Sequence, residues 1–139
     1  YALVAMGSLA SEARVAVDAL REDGLAAGLL RVRSYRPFPR DELAEGLGGL
    51  RAALIIDRDI SFGMEGAVFS DCKAALYGRS EVSLFNAVTG LGGRDVPFTV
   101  MAEELKEIAA GKRREPVSWP TVRLNQHHRD SREGMRRCG

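Results

Sequence analysis

The sequence predicts an α/β protein: a three-layer α/β/α fold around a mainly parallel sheet, with local strand order 2-1-3-4. Three observations carry this. Short, wholly apolar runs at 2–6 and 52–56 stop abruptly at polar or glycine residues, as buried strands do. Between such runs, apolar residues recur at helical spacing and end at glycine. A third run, 29–34, alternates Arg31 and Arg33 with Leu30 and Val32, the pattern of a sheet edge. Strands alternating with helices give parallel pairing, and right-handed crossovers put the edge-like second strand outside the first.

Along the chain, Ala2–Met6 reads as the first strand, halted by Gly7-Ser8. Ser8 is expected to cap the following helix, its hydroxyl accepting from a backbone N–H one turn on. Leu9, Ala13, Ala16, Val17 and Leu20 form that helix's apolar stripe, and Gly24 ends it. Pro37 and Pro39 interrupt the chain before a short helix over 41–47, which Gly48-Gly49 closes. The third strand, 52–56, has no polar position and belongs in the sheet's interior. After the loop 57–66, Val68, Cys72, Ala75 and Leu76 share a helix face, which makes Cys72 a core thiol. A fourth strand spans 82–88. The turn G-L-G-G-R-D at 90–95 follows, its glycines serving tight turns at positive φ. Thr99 is expected to cap the last helix, with Met101, Leu105 and Ile108 inward, and Glu103, Glu104 and Lys106 complementing its dipole.

Residues 1–111 are expected to form the α/β domain, and 112–139 a basic C-terminal arm with a candidate edge strand at 117–124 and a disordered end. Charge divides the same way: 12 Lys/Arg against 16 Asp/Glu up to residue 111, then 8 against 3 beyond it. The arm has no aromatic interleaving or reader motif, so it reads as solvated or partner-facing, with no nucleic acid. No apolar run approaches the roughly 20 residues that cross a bilayer, so no membrane partner is expected. Two cysteines, Cys72 and Cys138, make neither a disulfide framework nor a metal-ligand pattern, and a cytoplasmic location is the default. The opening at Tyr1, straight into an apolar run, reads as a segment cut at a domain boundary.

Chemistry-bearing constellations are few. Both histidines, His127 and His128, fall in the tail, so no Ser-His-Asp or Cys-His arrangement is expected on the core. Asp57, Asp59 and Glu65 share a loop and are the residue types that hold Mg²⁺. Arg58, Phe62 and Met64 among them point instead to local ion pairing and helix capping. Arg36, Arg58 and Arg94 each follow a strand, so all three are expected at the carboxyl edge of the sheet, where guanidinium forks suit docking to carboxylates or carbonyls. Gly7 and Ser8 face Arg58 across the point where strand order reverses, the crevice where open α/β sheets bind ligands. The candidate docking or crevice residues are therefore Gly7, Ser8, Arg36, Arg58, Asp59, Glu65, Arg94 and Asp95, with no catalytic, cofactor-binding or metal-binding residue assigned.

Three segments together, LLRVRSYRPFP (29–39), IIDRDISFGMEGAV (55–68) and GLGGRDV (90–96), resemble the C-terminal part of the alpha subunit of 2-oxoacid:ferredoxin oxidoreductases of the pyruvate or ketoisovalerate type. The resemblance runs in order from about residue 2 to residue 110, and the strand–RPF–helix element is similar to the C-terminal domain of transketolase. It implies a transketolase C-terminal-domain-like fold and a non-catalytic, assembly role. The whole complex would convert 2-oxoacid and CoA to acyl-CoA and CO₂ while reducing ferredoxin, using thiamine diphosphate, Mg²⁺ and [4Fe-4S] clusters held elsewhere. The implied partners are the N-terminal domain of the same subunit, the other subunits, ferredoxin and CoA, in an oligomer. The resemblance also implies a further antiparallel strand beside 29–34, absent from this stretch. That edge is therefore expected to be covered by 117–124 folding back or by a second copy. The rival readings are a domain of a transketolase or pyruvate dehydrogenase relative, and a CoA- or nucleotide-binding module using the Gly7/Arg58 crevice.

Overall fold

A computed structural model describes residues 1–61 and 63–121. The last three residues of the expected 117–124 strand, the histidine pair, Cys138 and the remaining tail arginines lie outside the described residues, as does Phe62. The elements are β1 (Ala2–Met6), α1 (Leu9–Glu22), β2 (Gly28–Val32), α2 (Arg40–Leu47), β3 (Ala52–Asp57), α3 (Ala67–Leu76), β4 (Ser83–Val88), α4 (Phe98–Ala109) and β5 (Val117–Ser118). A single 3₁₀ turn over Leu91–Gly93 precedes α4.

The sheet is parallel throughout, in the order β2-β1-β3-β4-β5. Its register places Val4 beside Leu30 on one side and Ile55 on the other. Period-two alternation assigns each strand position to a layer. Leu3, Ala5, Leu54, Ile56 and Ala87 pack under α1 and α4, while Val4, Ala53 and Ile55 pack under α2 and α3. All six residues of β3 are buried, as a central parallel strand covered on both faces must be. β2 alternates less cleanly, with Arg31 exposed beside a buried Val32, and pairs with β1 alone.

Two of the expected caps are not formed. Ser8 has helical backbone angles (φ −65°, ψ −30°) and makes no side-chain cap bond, because the turn is made one residue earlier, at Gly7. Thr99 lies inside α4, which starts at Phe98 behind Pro97. Pro97 takes the N-cap with extended backbone (φ −66°, ψ 149°) and has no side-chain oxygen to offer, while the Val100 N–H bonds its carbonyl at 3.1 Å.

One of the two expected coverings of β2, by 117–124 folding back, is also corrected. Val117–Ser118 pairs parallel with β4, at the opposite edge of the sheet from β2. The reason is the crossover. A right-handed β4–α4–β5 connection lays the next parallel strand just beyond β4, and the short link after α4 keeps the arm on that side. There Arg113 pairs with Glu104 of α4 at 2.5 Å, both side chains largely buried (6% and 15% exposed). Burial pushes the Arg113 guanidinium below its usual range, opposed by the nearby Glu104 and Glu107.

Cys72 sits in the α3 stripe with no exposed surface. Burial, helped by the negative charges of Asp57 and Asp71, pushes its thiol up to about 12. Because the thiolate is the reactive species, Cys72 should resist iodoacetamide in the native chain at pH 8 and react on unfolding. Native alkylation followed by mass spectrometry checks this. Rapid modification of Cys72 before unfolding would contradict the packing.

Candidate functional site at the carboxyl end of the sheet

The carboxyl ends of β1, β3 and β4 carry most of the polar side chains singled out in the sequence. The centre is Asp57, the last residue of β3, which is 2% exposed. Its carboxylate reaches the start of α3: the Val68 N–H donates to Oδ1 at 3.1 Å and the Phe69 N–H to Oδ2 at 3.2 Å. Asn86 of β4, wholly buried, adds a third donor, Nδ2 to Oδ2 at 2.9 Å. That amide also donates to the Ile55 carbonyl at 3.0 Å, and its Oδ1 accepts from the Gly66 N–H at 2.9 Å. Asp59 takes the remaining early donor, the Ala67 N–H, at 2.9 Å. Three side chains from two strands and a loop thus satisfy N–H groups that the helix cannot satisfy itself.

Burial pushes Asp57 up to about 6, against the hydrogen bonds from Val68, Phe69 and Asn86, which pull it down, and with Asp59 adding to the rise. Glu65 moves the other way. Its partial burial would raise it, but the Lys73 ammonium at 2.7 Å and the Ser70 hydroxyl hold it below its ordinary value.

The arginines are not gathered at one place. Arg36 turns towards α3, pairing with Asp71 at 2.9 Å while its guanidinium lies 4.0 Å over the Tyr35 ring. Arg94 donates to the Thr121 carbonyl at 2.7 Å. Arg58 lies over the turn after β4. A β-carbon at Gly90 would sit 2.8 Å from Arg58 Nε and 2.7 Å from Val96 Cγ2, and Gly90 has φ +73°. Gly90 therefore turns the chain where no side chain fits, whereas Gly92 and Gly93 have open space around them and serve through their positive φ alone. The Thr121 hydroxyl closes this corner, 3.0 Å from Thr89 Oγ1 and accepting from the Gly90 N–H at 3.2 Å.

Ser8, Arg58 and Asp95 share one open cleft of about 460 Å³ with Glu12, Leu9, Val96 and Pro97. Gly7 lines a separate recess with Met6, Arg31, Val32 and Arg33. The residues expected to flank a single crevice are thus divided between two hollows, and Glu12 and Asp95 offset Arg58 in the first.

The donor set does not fit the cofactors that the sequence resemblance implies. Asp57 and Asp59 direct their carboxylates at α3 amides, so they are not poised as ligands for a Mg²⁺-diphosphate. A [4Fe-4S] cluster requires four thiolates, and the sequence has two cysteines, of which Cys72 is buried among aliphatic groups.

Asn86, Thr89, Arg113 and Thr121 organise this end and its edge, yet sequence reasoning did not select them, and it read Glu104, the partner of Arg113, only as a complement to the helix dipole. One signal was available for Asn86: a lone amide within the apolar run 82–88 must find partners if it is buried.

Residues 1–117 match the family model described as pyruvate:ferredoxin oxidoreductase core domain II. The chain is similar to the ketoisovalerate oxidoreductase subunit VorA of Pyrococcus furiosus, 40% identical over 124 residues, covering 86% of this chain and 32% of the relative. It is likewise similar to the pyruvate synthase subunit PorA of Pyrococcus abyssi, 40% identical over 125 residues, with the same coverage of 86% and 32%. Against PorA of Thermotoga maritima the identity is 40% over 97 residues, covering 69% of this chain and 25% of that protein. The chain spans about a third or less of the length of these curated relatives. With the sheet order, the strand–turn chemistry and a match over 117 of 139 residues in agreement, the chain belongs to the pyruvate:ferredoxin oxidoreductase core domain II family.

Proposed function

We propose that this chain is a non-catalytic assembly domain of the alpha subunit of a 2-oxoacid:ferredoxin oxidoreductase. One observation supports this above the others: most of the polar groups at the end of the sheet where α/β folds bind ligands are engaged with the protein itself. Asp57, Asp59 and Asn86 hold α3, Glu65 pairs with Lys73, Arg36 with Asp71, and Arg94 holds the arm. Such a site positions elements; it has no nucleophile–base pair to do chemistry.

On this reading the α/β domain of residues 1–111 and its basic arm dock against the N-terminal domain of the same subunit and against neighbouring subunits in an oligomer. Arg58, Asp95 and the Ser8 corner face outward for that contact. The full complex, in the cytoplasm, would convert 2-oxoacid and CoA to acyl-CoA and CO₂ and reduce ferredoxin. Its thiamine diphosphate, Mg²⁺ and [4Fe-4S] clusters would be bound outside this chain. Among the described residues no helix is long and apolar enough to cross a membrane.

The test uses the purified 139-residue chain. It should show no thiamine-dependent decarboxylation of pyruvate or 2-ketoisovalerate, with or without an electron acceptor, and no heat of binding for thiamine diphosphate. Turnover by the chain alone would overturn the proposal. Saturable binding of CoA that is lost in Arg58→Ala would replace it with a ligand-binding role for the Ser8–Arg58–Asp95 cleft.

A further inference from the structure

We propose that the C-terminal arm, residues 113–118, and the N-terminus of α3 are coupled through Asn86, so that lifting the arm from the β4 edge loosens the first turn of α3. Among the described residues, Asn86 is hydrogen-bonded to both regions. Its main chain faces the arm: the Asn86 N–H donates to the Pro116 carbonyl at 2.7 Å, and its carbonyl accepts from Arg113 Nη2 at 2.5 Å. Its side chain, on the other face of the sheet, holds Asp57 and the Gly66 N–H. Asp57 in turn holds Val68 and Phe69.

The arm side of this linkage is built as a latch rather than a loose tail. Arg113 is clamped by Glu104 and lies 5.4 Å over the Phe85 ring, and the Ser118 hydroxyl donates to the same Glu104 carboxylate at 2.6 Å. A hydrogen bond near 2.9 Å is largely lost within about 0.6 Å of lengthening. The side chain of Asn86 is fully buried, so no solvent stands ready to replace a partner it loses. A shift of the Asn86 peptide when the arm leaves is therefore felt at Asp57 and Gly66.

The consequence reaches the carboxyl-edge residues. α3 carries Asp71, which holds Arg36, and Ser70 and Lys73, which hold Glu65. A partner that captures the arm would thus alter how Arg36 and Glu65 are presented. This inference stands on the hydrogen bonds themselves and does not depend on the assembly reading.

Residue-resolved hydrogen exchange on the full 139-residue chain tests the coupling. With Arg113→Ala, the amides of Gly66, Val68 and Phe69 should exchange about tenfold faster, while the α1 amides of Ala16, Val17 and Leu20 keep their wild-type rates. Ser118→Ala, a milder change that leaves the Glu104–Arg113 pair in place, should shift the same three amides in the same direction by a smaller factor. Faster exchange confined to residues 112–121 and α4 would overturn the proposal. A uniform acceleration that includes α1 would overturn it too, since that is global destabilisation.

Discussion

Alanine in place of Gly66 should destabilise the fold by about 3 kcal/mol or more, the upper end of what overpacking usually costs. Backbone conformation is not the reason. Gly66 has φ −72° and ψ 151°, angles any residue adopts. The obstacle is Asp57: a β-carbon on Gly66 would lie 2.1 Å from its Cγ and Oδ2 and 2.2 Å from its Cβ. Asp57 cannot swing aside, because its oxygens are held by Val68, Phe69 and Asn86 and its main chain belongs to the central strand β3. Either α3 retreats from the sheet or the carboxylate loses its donors. Urea denaturation of the variant against wild type measures the loss. A difference below about 1 kcal/mol would mean that Asp57 is not seated against Gly66.

Asp57→Ala should remove about 2–4 kcal/mol at pH 7, since three buried N–H donors lose their acceptor together. Its pH dependence carries a distinct signature. In the folded chain burial raises the Asp57 carboxyl from 3.8 to about 6. Between these values the folded state binds the proton and the unfolded state does not. The contribution of this group to stability therefore grows as pH falls from about 6 towards 3.8 and shrinks as pH rises through 6. The wild type should gain on Asp57→Ala by up to about 3 kcal/mol across that window. Glu65, held below its ordinary value, contributes in the opposite sense, but it is common to both proteins and cancels in the comparison. Paired denaturation curves at pH 7, 6, 5 and 4 give the gap directly. A gap that narrows on acidification would show that the folded chain favours the ionised carboxylate.

Much of the layer architecture was legible because burial on both faces leaves a mark in composition. The all-apolar run 52–56 could only be central, and the alternation of Arg31 with Val32 could only suit an edge. The turn at 90–95 was legible for a similar local reason: three glycines in four positions announce left-handed backbone, and Gly90, Gly92 and Gly93 all adopt it. Ser8 stands at the N-cap of α1 as expected, but its helical backbone angles leave the hydroxyl without a cap bond, and Thr99 misled because α4 already starts at Phe98.

The candidate site was less legible. The sequence set Asp57 in a loop beside Asp59 and Glu65, and of the three only Asp59 and Glu65 stood among the candidate docking or crevice residues. The structure separates them by environment: Asp57 ends a strand beneath a helix, Asp59 caps that helix, and Glu65 pairs with Lys73. A carboxylate's role depends on which distant N–H groups converge on it, and Gly66, Val68 and Asn86 converge on Asp57 and its partner only after β3, α3 and β4 have packed. Arg113 shows the same thing from the opposite charge. Read as one of eight basic residues in a solvated arm, it is instead a buried ion closing the sheet's far edge on Glu104. The sequence by itself determined the alternation of strands and helices, the central strand, the exposed second strand and the glycine turn, because those follow from local burial pattern and backbone freedom. Only the tertiary structure decided which charges face solvent, which edge the arm completes and which residue joins the two, because those depend on partners 8 to 29 residues away in sequence, on other elements of the fold.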